Sequence, residues 1–147
     1  MNRAFQLADL DACIDLFIET FAQPPWSETW ERPVVKARLE QIIGTPGSYG
    51  VVTGDDDGIT AFALGVSEPW HEGSHFFLKE CCVSHRHQRQ GIGTRLMDYL
   101  SEQLKERDAT RIYLLTARGE MSEAFYTKIG YYTSQRMILM ARRFADT

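Results

Sequence analysis

The sequence contains no apolar stretch approaching the ~20 residues that cross a bilayer. Its N-terminus also lacks the apolar core of a secretion signal, so no membrane partner is expected. An excess of basic residues is missing too. Sixteen Lys and Arg face twenty Asp and Glu, for a formal net charge of −4, which argues against nucleic acid as the main partner. Cysteine is scarce. Of three, Cys81 and Cys82 are adjacent and Cys13 is distant, a spacing that suits neither a disulfide framework nor a metal site. No metal is expected, and a reducing, cytoplasmic location is the simplest one. There is no internal repeat, low-complexity tract or linker. The 147 residues read as one domain, 1–147, long enough to bury roughly 70% of the unfolded surface. Hydrophobic residues at 44% and charged residues at 24% are ordinary for a globular protein.

What is present is a regular succession of α and β patterns. Arg3 to Leu7 reads as a short strand. Asp9 is placed to cap a helix whose Leu10, Cys13, Ile14, Phe17 and Phe21 share one face, and Pro24-Pro25 ends it. A second helix is expected over Trp30 to Ile43. Ser48 to Thr53 and Ile59 to Ser67 read as a hairpin around Gly54-Asp55-Asp56-Asp57-Gly58. A loop from Glu68 to Gly73 leads to a strand over Phe76 to Val83. The helix from Gly91 to Arg107 has the clearest period, followed by an apolar strand over Arg111 to Thr116 that reads as covered on both faces. Glu120 to Ile129 suits a short helix stopped by Gly130. Tyr131-Tyr132 and Gln135 to Ala141 read as the last strands. The order β α α β β β α β α β β predicts an α/β protein, a mixed sheet of about seven strands with crossover helices.

The segment between the strand ending at Val83 and the long helix carries the most chemical information. Gln88-Arg89-Gln90-Gly91-Ile92-Gly93-Thr94 opens a helix with several unpaired backbone N–H groups at the positive end of its dipole, an arrangement suited to an anion. Glycines at 91 and 93 let the backbone approach a bulky ligand such as a pyrophosphate. No lysine stands between Gly93 and Thr94, and residue 96 is Leu, so neither the nucleotide P-loop nor the dinucleotide fingerprint is matched. A helix start that merely needed flexibility is the plainer alternative.

Gln-x-x-Gly-x-Gly after a Val-ended strand resembles the acetyl-CoA-binding motif of the GCN5-related N-acetyltransferase (GNAT) superfamily. Ala124 to Tyr131 resembles the same family's helix-and-turn signature, and the element order is similar from end to end. The resemblance implies the GNAT fold, with strands four and five splayed to hold acetyl-CoA. It implies that Cys81, Cys82 and Val83 run along the pantetheine arm, one of their amides polarising the thioester. Gln88, Arg89, Gln90, Gly91, Ile92, Gly93 and Thr94 would hold the pyrophosphate, with Arg86 at its edge. Tyr126 takes the family's position for the acid that protonates the departing thiolate; a packed aromatic with a wet hydroxyl is the alternative. Many members have Asn where this chain has Gly119, and Arg118, Glu120 or Ser122 are the residues near enough to compensate. His85 stands where the family often has proline.

Resemblance also places Glu80 toward the acceptor, as contact or general base; a cross-strand ion pair with Lys79 or a neighbouring lysine is the alternative. The lip of the slot would be drawn from Phe21 to Trp30 and from Trp70 to His75. Pro24-Pro25-Trp26 with Glu28 and Trp30 is locally similar to some aminoglycoside N-acetyltransferases. Trp26, Glu28, Trp70, Glu72, Glu80 and His75 would then form an acidic, aromatic-walled site for a cationic amine, with Trp30 capping the core instead. The expected activity is acetyl transfer from acetyl-CoA to a primary amine of a small acceptor, aminoglycoside- or polyamine-like, by direct attack. The alternatives are a catalytically weak CoA sensor, a protein N-terminal or lysine acetyltransferase, and a purely structural domain. Homodimers are common in the family, and the sequence neither requires nor excludes one.

Overall fold

The computed structural model describes residues 1–145, which divide into two compact units, Met1–Leu115 and the described residues from Thr116 on. The first holds a five-stranded sheet in simple sequence order: β1 (Asn2–Ala4), β2 (Ser48–Asp55), β3 (Gly58–Pro69), β4 (Ser74–Val83) and β5 (Ala109–Tyr113). Pairing is antiparallel up to β4, and β4 with β5 is parallel. Joining two parallel strands requires a crossover, supplied here by α3 (Ile92–Glu106).

Helices α1 (Leu10–Phe21) and α2 (Arg32–Gly44) cover one face. Leu10, Cys13, Ile14 and Phe17 of α1 and Val35, Leu39 and Ile42 of α2 pack on Val52, Phe62, Leu64 and Cys82. Both stripes follow the i, i+3/i+4, i+7 rule. Helix α3 packs on the sheet through buried Leu96, Met97, Leu100 and Leu104. Beneath it the alternate strand residues are small, Ala61 and Ala63 with Val51.

Asp9 does something other than the capping read from the sequence. It precedes α1 in helical conformation and gives that helix no side-chain cap. Its carboxylate instead accepts both Nη groups of Arg3 at 2.8 Å each and the Gln6 N–H at 2.8 Å. The Arg3 bond outweighs desolvation and lowers the pKa of Asp9 below its ordinary value. Asp9→Asn is expected to cost about 1–3 kcal/mol at neutral pH, read from the denaturant midpoint. A depressed carboxylate stabilises above its unfolded pKa and loses that contribution as pH falls through the folded one. The gap between wild type and variant should therefore close on acidification.

Unit two contains α4 (Met121–Lys128), ended by Gly130 at φ +104°. Its Thr116 and Ser122 hydroxyls bond at 2.6 Å, and the Gly119 amide donates to Glu123 at 2.6 Å. The strands expected over Tyr131-Tyr132 and Gln135 to Ala141 are not formed among the described residues, so the sheet has five strands rather than about seven. Their composition favours extension, but an extended segment becomes a strand only where another backbone pairs with it. The strand expected over Arg111 to Thr116 is shifted to Ala109–Tyr113 and is not covered on both faces; Thr110 and Arg111 are exposed. Among the described residues no helix is long and apolar enough to cross a membrane.

Candidate active site

The parallel pairing of β4 and β5 stops at Phe77 opposite Tyr113, yet β4 continues six residues to Val83. Among the described residues no strand pairs with β4 on the β5 side over this second half. Ser84 donates its N–H to Thr60 of β3 at 2.8 Å. By alternation, Cys81 and Val83 turn their backbone groups to the other, open side. The Val83 carbonyl accordingly accepts from the Gln88 side chain at 3.3 Å.

Beyond Ser84 a single 3-10 turn, His85–His87, closes on the Ser84 carbonyl. Arg89 (φ +66°) and Gly91 (φ +78°) then take left-handed conformations, costly for Arg and natural for Gly. The first helical bond of α3 runs from Arg95 N–H to Gly91 O. From Gln88 to Thr94 no backbone N–H has a partner among the described residues. Seven consecutive amides at the N-terminus of a fifteen-residue helix can hold a multiply charged anion, and a diphosphate fits that chemistry. The Arg95 guanidinium folds back onto the Gln90 carbonyl at 3.2 Å. Arg86, expected at the rim, is exposed and lies 3.8 Å from Glu19 of α1.

Glu80 owes its position to an irregularity. Leu64 is opposite Glu80 and Gly65 is opposite Leu78, so Lys79 is an extra residue in β4, a β-bulge. Before the bulge, Phe76 lies on the Gly65 side, where a Cβ on that glycine would fall 2.6 Å from its ring. After it, Glu80 and Cys82 share the face of Leu64, which belongs to the α1/α2 core. The bulge thus aims a carboxylate at helix α2. There the Nε of Arg38 donates to Glu80. Arg38 sits three residues after buried Val35 and one before buried Leu39, on the flank of the helix stripe, and reaches the sheet without entering the core.

Glu80 is 8% exposed. Desolvation holds its pKa above the ordinary carboxylate value; Arg38 and Lys79 act against that, and Glu28 adds to it. Glu80 is thus not a bare carboxylate: Arg38 holds it and Lys79 acts in the same sense. Sequence reasoning missed Arg38, because no local pattern links residues 42 apart. It also missed the stacked pair Phe77–Tyr113 (4.5 Å, 17°), with Lys79 Nζ 4.5 Å over the Phe77 ring and Tyr113 donating to Glu68 at 2.6 Å. Burial and that bond push the Tyr113 phenol up to about 12.

The remaining expected acceptor residues fall into two groups. Trp26 packs edge-on against Phe21 (5.0 Å), and exposed Glu28 accepts from the Trp30 indole at 3.0 Å. Trp30 lies edge-on to Phe17 (5.0 Å) against the core. Trp70 stacks on His75 at 4.5 Å and 18°, while Glu72 is exposed and its carbonyl accepts from the Thr110 hydroxyl. His75 and Glu80 are five strand residues apart, about 16 Å at the usual rise, so the two groups do not share one small pocket. In the second unit, Tyr126 of α4 is half-buried, its ring 5.1 Å from Phe125 and 5.4 Å from Tyr131. Gly119 has φ +79°, a conformation that glycine adopts without strain.

Cys13 (0% exposed) and Cys82 (1%) are sealed in the core. Burial raises the Cys13 thiol to about 12 and Cys82 well above its ordinary value. A thiol reagent such as Ellman's is expected to label one cysteine, the half-buried Cys81, in the folded protein and all three after denaturation. Fast labelling of Cys82 would contradict the packing.

The acetyltransferase (GNAT) family model matches residues 13–131. Solved structures of similar fold include a possible acetyltransferase from Clostridium difficile 630, at 15% identity and TM-score 0.81, covering 98% of this chain and 97% of that one. An aminoglycoside 6′-N-acetyltransferase from Acinetobacter haemolyticus shows 15% identity and TM-score 0.75 over 98% and 99% of the two chains. An aminoglycoside N-acetyltransferase in complex with CoA shows 14% and 0.76 over 98% and 95%. No curated protein matches the sequence. These identities speak for the fold alone, and the family model, which spans most of the sequence and both compact units, shows that the chain belongs to the acetyltransferase (GNAT) family.

Proposed function

We propose that this chain is an N-acetyltransferase that moves the acetyl group of acetyl-CoA to a primary amine of a small molecule, and that residues 1–147 act as one domain. The observation that carries the reading is the run of amides from Gln88 to Thr94 that have no partner among the described residues, just beyond the strand β4 that ends at Val83. The family membership and the CoA complex of a structural neighbour support acetyl-CoA as the co-substrate.

In this reading the turn binds the diphosphate and an amide of the Cys81–Val83 segment polarises the thioester carbonyl. The amine's lone pair attacks the carbonyl carbon, the C–N bond forms and the C–S bond breaks. Sulfur leaves with its electron pair and takes a proton from Tyr126, while the nitrogen gives one up to Glu80 or to water. No acyl-enzyme is needed, in keeping with a buried, high-pKa Cys82. Tyr126→Phe should lower kcat about tenfold, a modest effect for an acid acting on a good leaving group, and leave CoA affinity within about threefold.

The test is direct. Protein, acetyl-CoA and a panel of amines (aminoglycosides, polyamines, amino acids, a lysine peptide) are incubated and free thiol is measured. Thiol release that depends on an amine supports the reading. A CoA-induced thermal shift without release on any amine would make the chain a sensor, and no shift at all would remove the cofactor site.

A further inference from the structure

The groups around the outer half of β4 are paired in sign. Glu80 is buried on the bulge and held by the Nε of Arg38. The other nitrogens of that guanidinium have no partner among the described residues, and the Arg38 side chain remains 44% exposed. Lys79 and Glu28 act on Glu80 with opposite sign. The flat, half-buried Phe77–Tyr113 stack lies immediately before the bulge on β4. Glu80 itself is next in sequence to Cys81, which begins the segment with the open edge.

A polycation gains little from Glu80, since that carboxylate is already offset by Arg38. A molecule with one charge of each sign gains twice. Its ammonium meets the Glu80 carboxylate, and its carboxylate meets the open fork of Arg38, whose planar N–H pair matches a carboxylate in bidentate geometry. The Phe77–Tyr113 stack offers an apolar wall for whatever the acceptor carries between or beside those charges.

We infer that the acceptor is an amino acid or a close analogue, an amine with a carboxylate near it, bound with its carboxylate on Arg38 and its amine on Glu80. The inference rests on the acetyltransferase reading above and names the acceptor of that same site. Arg38 is then a specificity residue that touches substrate, and the transfer is the one already balanced, ending in an N-acetylamino acid and CoA thiol.

The experiment compares matched pairs in the thiol-release assay: phenylalanine against phenethylamine, lysine against cadaverine, and an amino acid against its amide. The carboxylate-bearing member should have kcat/KM at least about tenfold higher, most of it in KM, as expected for a lost charge-assisted bidentate contact. In Arg38→Lys, which keeps the positive charge beside Glu80 but not the fork, the ratio within each pair should fall toward one. A merely structural role for Arg38 would lower both members alike and leave the ratio intact, which would overturn its assignment. If the decarboxylated amines, or aminoglycosides, are used as well or better while thiol is released, the inference fails and the transferase reading stands. If wild type shifts its melting temperature with CoA but releases thiol with none of these amines, both fail.

Discussion

Gly91→Val is expected to weaken CoA binding at least about a hundredfold while leaving a folded protein. Gly91 has φ +78°, a region that costs a β-branched residue about 2 kcal/mol or more. A Cβ there would also come within 2.8 Å of the Arg95 Nη1, a flexible end that can move, so the strain is in the backbone rather than in the neighbour. The cheapest relief is to re-route the turn, which turns the Gln88–Thr94 amides away from a common centre. Each charge-assisted hydrogen bond lost is worth about 1.5–3 kcal/mol, and two of them reach the hundredfold level. Titration calorimetry with CoA measures this, with circular dichroism to show that the helices remain. Gly58→Ala is the control: φ is +121° in the β2–β3 hairpin and no atom lies within 4 Å of an added Cβ. It should cost stability and leave CoA affinity unchanged. Equal affinity in Gly91→Val and wild type would remove the turn from the site.

The contrast between the glycine turn and Glu80 shows what a sequence makes visible. The turn is local. The end of a Val-ended strand, two glycines and the start of an amphipathic helix lie within about a dozen consecutive residues, and the chemistry of open amides follows from helix geometry alone. Core stripes are legible for the same reason: Leu10, Cys13, Ile14 and Phe17, or Leu96, Leu100 and Leu104, repeat at a period fixed by one helix. Glu80 is visible as a residue but not as an environment. Whether it faces α1/α2 or α3 depends on a one-residue bulge at Lys79, which flips a period-two pattern and leaves no mark in it. Its partner Arg38 comes from a helix 42 positions away. For that reason Glu80 reads as a lone acid in the sequence and is ion-paired in the structure. The last strands were legible only as composition, and composition does not supply the partner a strand needs.

Arg38→Met should be the most destabilising single change outside the hydrophobic core. It removes the cation from a carboxylate that is 8% exposed and lies near Glu28. Breaking a buried pair by deleting one partner costs about 3–5 kcal/mol because the survivor stays charged and desolvated. Arg38 is itself 44% exposed, which lets water reach the pair and places the expected loss near the lower end. At about 2–4 °C per kcal/mol for a chain of this size, the melting temperature falls by roughly 6–12 °C. The pH dependence distinguishes this cause from lost packing. The folded pKa of Glu80 is already raised, and losing the guanidinium raises it further, so the folded state holds a proton that the unfolded chain releases. Stability of the variant then decreases as pH rises from the unfolded value of 4.5 through the folded one. Below that window both states are protonated and the deficit is smallest. Adding Glu80→Leu to Arg38→Met removes the stranded charge, fills the face it occupied beside Leu64, and should return most of the stability without returning any preference for a carboxylate. A deficit that is the same at every pH would mean that Arg38 serves through its aliphatic stem alone, and that Glu80 is not held by it.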